Sequence, residues 1–454
     1  MIGKKKLEII CQEVLGLSKA DQAEVIIGSG ESTTIRYANS YIHQPTSQLG
    51  NWIKVRLVIG KKIGVASGNQ LDKTSLEALV NRAMEICRFQ KDDPGFKSLP
   101  ASKKGRSFLT YDEKTAKATS KQLARKVKVV TDQAGGKKLV ASGKLDRSAG
   151  EMAVSNSLGV WAYQASTEAN LSAIIMGRAP FGARLGSGSG YASDLGWQLD
   201  QIQEKEVAKT AVQKALKSVN PQTLNPGEYE VVLEPAAFEG VLDYFAWLGP
   251  NARVYHEDVS YFKGRLGKKV FSPKLTITDD PFDKRGLPAS FDYEGQPKKR
   301  LPIVENGVIK NIAYDSYYAG KYKKKNTGHA LPAPNTFGPL VSHLVVKPGK
   351  SSLSQMISKV KKGLLVTRFW YLSPVHYGQM LVTGMTRDGL FLIKNGAVVA
   401  PVKNLRFTES IPRMLKNIVE VGRDLLPLSS WGGGANLCPP VRISDFRFSG
   451  KTDF

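Results

Sequence analysis

Apolar and polar positions alternate with two periods along this chain, and the change of period marks the predicted elements. Trp52 to Ile59 (WIKVRLVI) alternates with period two, so it predicts a half-buried strand; Gly60-Lys61-Lys62 turns it into a second strand, Ile63–Ala66. Glu24–Ile27 and Thr33–Ala38 predict two short strands before it, after a helix within residues 1–20. Between Asp72 and Gln90, Leu76, Leu79, Val80, Ala83, Ile86 and Cys87 recur at helical spacing, with Asp72 or Thr74 as the cap. Lys114–Gln133 and Gln201–Val219 predict further helices, and Leu139–Val154 and Val160–Ile175 a strand pair turning at Ser155–Gly159. The Gly/Ser-rich stretch Gly182–Gly196 reads as a loop; it lacks the spacing of a phosphate-binding loop.

Asn220–Gly227, with two prolines and a glycine after a helix end, is the best linker. Beyond it, short apolar runs alternate with turn signals. Glu228–Leu233 predicts a strand and Pro235–Trp247 an apolar helix. Glu305-Asn306-Gly307 predicts a hairpin, Asp315–Lys321 a helical turn, Leu340–Val346 a strand, and Ser351–Lys361 a helix capped by Ser351. Thr367–Glu409 reads as a β-meander turning at Arg387-Asp388-Gly389 and Lys394-Asn395-Gly396. The expected fold is α+β: an N-terminal mixed α/β domain (1–222) and a β-rich C-terminal domain (223–454).

Composition narrows the class. With 454 residues and 41% apolar content the chain can build ordinary cores. No apolar run reaches the ~18 residues of a membrane span, and Glu8, Gln12 and Glu13 interrupt the first helix, so no signal peptide is read and a cytoplasmic place is expected. Cys11, Cys87 and Cys438 read as buried free thiols. The net charge of +25 could attract nucleic acid, yet no motif supports that: the lysine clusters are scattered, and Tyr317, Tyr318 and Tyr322 are the nearest approach to a stacking platform.

The meander carries a specific resemblance. A TRFWY-like strand, a TG.TRDG segment, an FLI.NG turn and a PVKN.RF.ES segment follow one another as in TldD/PmbA proteins. The DDPGFKSLP loop (Asp92–Pro100), the N-S-x-G turn near Asn156, the turn at Asp279–Asp283 and the Pro332–Asn335 loop resemble the same family. The resemblance implies a zinc-peptidase pair in which one member carries HExxxH on the first helix after the EVVL-like strand, with a cysteine in a C-terminal GGGxCGK-like loop. Zinc needs neutral imidazoles or thiolates and an open position for water. Here the motif positions are placed near Tyr244, Phe245 and Gly249, and Gly432–Gly434 continues as Ala435-Asn436-Leu437, so both halves of the signature are missing. His256-Glu257 in HEDVSY is a weak alternative metal site, about twelve residues late. The resemblance thus points to a PmbA (TldE)-like subunit without catalytic residues or cofactor of its own. It implies a TldD-like partner holding zinc in a heterodimer, with unfolded peptides as substrates. Arg368, Trp370, Asn335 and His376 are the candidate cleft residues. A non-proteolytic, gyrase-modulator-like or polyanion-binding protein is the alternative.

Overall fold

The computed structural model describes residues 1–177 and 188–452. Its N-terminal half is one antiparallel sheet made of β1 (Gln22–Ala38), β2 (Tyr41–Ile59), β3 (Lys62–Gly68), β4 (Leu139–Asn156), β5 (Trp161–Gly177) and β6 (Ser189–Gly196), in the order β3-β2-β1-β4-β5-β6. Five helices accompany it: α1 (Lys4–Leu17), α2 (Lys73–Phe89), α3 (Glu113–Ala116), α4 (Ser120–Gly135) and α5 (Glu204–Lys217). Leu7, Cys11 and Val14 of α1 and Leu76, Val80 and Ala83 of α2 pack on Val25, Ile27, Ile53 and Val55. Leu123 and Val127 of α4 and Val207 and Ala211 of α5 pack on Leu145, Leu171 and Ala173. Ile26 and Val154 point the other way, against Phe291 of the C-terminal half. Alternate residues of β1 therefore serve two interfaces, as a strand requires.

Several expectations are corrected here. The two short strands at 24–38 are one, and the strand at 52–59 begins at Tyr41. The 41–51 stretch is mostly exposed, so it has no apolar alternation to read. The helix at 114–133 breaks before Thr119, which starts a new helix with a capping box to Gln122. Of the loop expected at 182–196, residues 182–187 lie outside the described residues and Ser189–Gly196 is strand β6, paired with β5. Its glycines are packing devices: a Cβ at Gly190 would stand 2.2 Å from the Ala211 carbonyl of α5. Asp72 caps α2 as expected, accepting from the Ser75 amide at 3.0 Å. Asp72→Ala is expected to lower the denaturant midpoint of unfolding, since the Ser75 amide loses its cap.

The C-terminal half continues with β7 (Gly227–Leu233), α6 (Pro235–Leu248), α7 (Ala252–His256), β8 (Ile277–Asp279), β9 (Leu301–Glu305), β10 (Val308–Ile309) and α8 (Ser316–Lys321). Then follow β11 (Leu344–Val346), α9 (Leu353–Ile357), β12 (Lys362–Val366), β13 (Phe369–His376), β14 (Leu381–Thr386), β15 (Leu390–Lys394), β16 (Ala397–Pro401) and β17 (Leu405–Ser410). The chain closes with α10 (Ile411–Lys416), β18 (Ile418–Val421), β19 (Leu426–Ser429), β20 (Ala435–Cys438) and β21 (Val441–Lys451). One sheet runs β10-β9-β8-β11-β20-β19; the other runs β13-β14-β17-β21-β7-β12-β15-β16, with β18 beside β21. Both contribute to one core around α6, including Ile277, Ile303, Leu344, Leu364, Phe407 and Phe446. The cap of α9 is Ser352, one residue later than expected.

The expected meander is a different object. β12 and β13 run on from one another, and so do β14 and β15, giving one long ribbon that turns at Tyr377–Met380. Arg387-Asp388-Gly389 is not its hairpin turn but its bend, with Asp388 at φ 57° and Gly389 at φ 132°. Pairing continues across the bend through Arg387 N–H to Arg368 O (3.0 Å) and Thr367 N–H to Gly389 O (3.2 Å). One half of the ribbon joins the sheet through β14–β17, the other through β12–β7, so the ribbon supplies strands near both ends of the sheet. Lys394-Asn395-Gly396 is a true hairpin turn, between β15 and β16, with both Asn395 and Gly396 at positive φ.

Candidate functional site

Helix α6 starts on Pro235 and is apolar except for Glu239 and Asp243, which lie one turn apart on one face. The opposite face carries Phe245, whose ring packs on Phe262 (5.7 Å) and Phe271 (6.2 Å). The polar face looks towards β20. There the Asn436 amide donates to Asp243 Oδ1 at 3.1 Å, while its own oxygen accepts from the Leu344 N–H at 3.0 Å. Asp243 is 6% exposed and Asn436 1%.

Two buried carboxyls this close cannot both ionise freely. Burial first, then the Asp243 charge and a hydrogen bond to it, push Glu239 well above the carboxylate range. Burial also raises Asp243, to about 6, against hydrogen bonds from Glu239, the Trp431 amide and Asn436. Of the two, Glu239 is held the more strongly towards its protonated form. Glu239 Oε1 is buried and has no hydrogen-bond partner among the described residues. The Cys438 thiol near them is held protonated by burial and by both carboxyls.

The bend of the ribbon supplies the opposite wall. Arg368 donates from Nη1 to Asp388 Oδ2 at 3.0 Å, and its guanidinium lies between the rings of Tyr191 (4.0 Å) and Trp370 (4.7 Å). Tyr191 comes from β6, so both halves of the chain build this wall. Tyr244 donates to Leu372 O at 2.5 Å and meets Trp431 edge-on at 4.6 Å. Together these groups enclose a cleft of about 400 Å³. A larger cleft of about 890 Å³ lies between the N-terminal sheet and the C-terminal half, with Trp52 and Glu151 on one wall and Tyr293 and His343 on the other. Trp431 lines the smaller cleft, and Gly432 and Gly433 line the larger.

The expected residues separate into groups. Arg368, Trp370 and Tyr244 reach the smaller cleft. Phe245 is in the core and Gly249 ends α6. Asn335 organises its own loop, accepting from the Phe337 amide (2.8 Å) and donating to Gly338 O (3.0 Å). His376 is exposed at the far end of β13 and accepts from the Gln379 amide at 3.2 Å. His343, expected in a strand, precedes β11 and is buried. His256 stacks on Tyr322 at 3.5 Å and bonds the Tyr314 hydroxyl at 3.0 Å, while Glu257 pairs with Arg253 at 3.0 Å, so the two do not converge. The same stacking covers one face of Tyr322, which weakens the idea of a base-stacking platform there. Sequence reasoning passed over Glu239 and Tyr191, and named Asp243 only as a lone possible ligand, Asp388 only as a turn residue and Asn436 only as part of the glycine loop. The available signal was a carboxyl pair at helical spacing on an otherwise apolar helix.

A zinc ion does not fit these residues. Glu239, Asp243 and the Asn436 amide bring no imidazole to this site, whereas an HExxxH zinc site is built on two. Among the described residues no group of three or more His, Cys, Asp or Glu side chains is placed to hold a metal.

Family models match nearly the whole chain. The PmbA/TldA metallopeptidase domain 1 matches residues 23–87, the central domain 106–219 and the C-terminal domain 226–450. Metalloprotease PmbA of Escherichia coli O157:H7 is 24% identical over 442 residues, covering 95% of this chain and 94% of that one. The crystal structure of TldE from Thermococcus kodakarensis superposes with a TM-score of 0.89 at 21% identity, covering 98% of this chain and 100% of that one. A putative modulator of DNA gyrase from Thermotoga maritima gives 0.86 at 19% identity, covering 98% and 100%. Fold, matched domains and relatives agree: the chain belongs to the PmbA/TldD family, whose function is metallopeptidase-like.

Proposed function

We propose that this chain is the non-catalytic, TldE-like subunit of a two-chain zinc peptidase acting on unfolded peptides in the cytoplasm. The observation that carries this reading is the state of the positions on α6 where HExxxH is expected: Tyr244 bonds Leu372 O, Phe245 is buried in the core and Gly249 ends the helix, so none of them offers an imidazole or a carboxylate. Zinc and the base for its water then belong to a TldD-like partner with an intact HExxxH. This chain's part is to complete a chamber that receives extended peptide, which can add to exposed strand edges. β13, at one end of its sheet, offers such an edge. The test is co-expression with a family member carrying HExxxH. The two chains are expected to co-purify, and cleavage of an unfolded peptide to appear only when both are present. Cleavage by this chain alone would overturn the reading.

The +25 charge favours one second reading, a polyanion-binding regulator. It requires nucleic-acid affinity that falls steeply as salt rises from about 50 to 200 mM. Salt-independent or absent binding removes it.

A further inference from the structure

We propose that the cleft over Glu239 and Asp243 binds a primary ammonium group, the N-terminus of a peptide or a lysine side chain, between aromatic walls. The peptide class rests on the peptidase-family reading above; the ammonium chemistry rests on the residues themselves.

Charge is the first argument. The Arg368 charge is matched by Asp388 at 3.0 Å. Tyr244 and Cys438 are neutral, burial having raised both. Asn436 carries no charge, and Tyr191 presents its ring to Arg368. What remains is the Glu239–Asp243 pair, the acidic groups that line this cleft. This local sign is opposite to that of the whole chain, +25. An anionic ligand would meet that charge, whereas a cation is attracted to it.

Hydrogen bonding is the second. Glu239 Oε1 is buried without a donor among the described residues. An ammonium brings three donors and no acceptor, so it can displace a proton from the pair and bridge both carboxyls.

The walls are the third. Tyr244, Trp370 and Trp431 line the cleft, and aromatic rings attract an ammonium while holding its alkyl stem. Tyr371 and Trp431 are 72% and 54% exposed at its rim. From Trp431 the row continues to Trp247 (6.2 Å) and on to Phe337 (5.9 Å) and Tyr377 (5.4 Å). That row gives apolar side chains following the ammonium a surface to lie on.

The test is calorimetry on the isolated full chain near pH 7, in two buffers of different ionisation enthalpy. Three probes are used: a lysine-free tetrapeptide with a free N-terminus, its N-acetylated form, and an N-acetylated form containing lysine. The free peptide is expected to bind about tenfold or more tightly than the acetylated lysine-free one, releasing about one proton per ligand. If the acetylated lysine peptide binds equally well, the site takes side-chain ammonium too; if not, it reads the N-terminus. Asp243→Asn should erase the preference. Trp431→Ala, at an exposed position that spares the fold, should weaken binding severalfold. Equal binding of free and acetylated lysine-free peptides, no binding of any probe, or binding without proton release would overturn the proposal. No partner or zinc is present, so failure here leaves the two-chain reading standing, and failure of that reading leaves this binding measurable.

Discussion

Arg56→Met is expected to destabilise the folded chain by about 3–5 kcal/mol at pH 8, the cost of leaving buried carboxylates without their counter-charge. Arg56 on β2 donates to Glu24 Oε2 at 2.7 Å and to Glu294 Oε1 at 3.1 Å, so one guanidinium joins the N-terminal sheet to the C-terminal half. Ser316 donates to Glu294 from its amide (3.0 Å) and its hydroxyl (2.6 Å), which fixes the far side of the pair. Asp292 and Asp315 stand in the same cluster. Burial, then the Glu294 charge, raises each from an ordinary value of 3.8 to about 7. The folded chain therefore keeps these protons between about pH 4 and 7, where the unfolded chain has lost them. The stability they contribute is full below about pH 4 and is lost as pH rises through 7. Unfolding in denaturant at pH 5 and pH 8 checks both points: the variant's loss should shrink at pH 5, where Glu24, itself raised by burial, takes up a proton more readily.

Asp279→Ala should cost a similar amount, about 3–5 kcal/mol, because two buried amides and the ring N–H of His329, which burial holds neutral, lose their acceptor; the pH dependence is opposite. Asp279 is fully buried at the end of β8. It accepts from the amides of Ser342 (3.0 Å) and His343 (2.8 Å) and from His329 Nε2 (3.0 Å). Despite burial, His329, with further help from His343 and Lys298, holds its carboxyl well below the usual range. Its contribution is present above the ordinary carboxylate value and is lost as pH falls through the folded one. Ser342 also accepts at its carbonyl from the Ser430 hydroxyl at 2.7 Å, and Ser430 begins the loop that carries Trp431 to the site. Removing Asp279 should therefore loosen that loop as well. Denaturant midpoints from pH 3 to 8, followed with tryptophan fluorescence, measure both effects.

Much of the framework was legible because local chemistry set it. Asp72 before an apolar helical repeat gave α2, Glu305-Asn306-Gly307 gave a hairpin, and the largely apolar run after Pro235 gave α6. Parts set by distant contacts were not legible. β6 reads as a loop because its glycines answer to the approach of α5, not to strand propensity. The ribbon of residues 362–394 reads as a meander because Asp388-Gly389 has the letters of a hairpin turn, while the pairing across β17 and β7 that makes it a bend comes from elsewhere in the sequence. The site shows the same division. Arg368 and Trp370 stood inside a recognisable motif. Glu239 was read as part of an ordinary helix and Asp243 only as a lone possible ligand, since the buried polar cluster is completed by Asn436 from β20, nearly two hundred residues later.

The central claim is that the metal belongs to another chain, and metal analysis tests it most directly. The chain purified alone, and the complex with an HExxxH-bearing relative, should be measured side by side for zinc and peptide cleavage. The account predicts essentially no zinc on the isolated chain and about one per two-chain complex, with activity lost when the partner's HExxxH glutamate is changed to glutamine. About one zinc on the isolated chain, together with cleavage by it, would contradict the account.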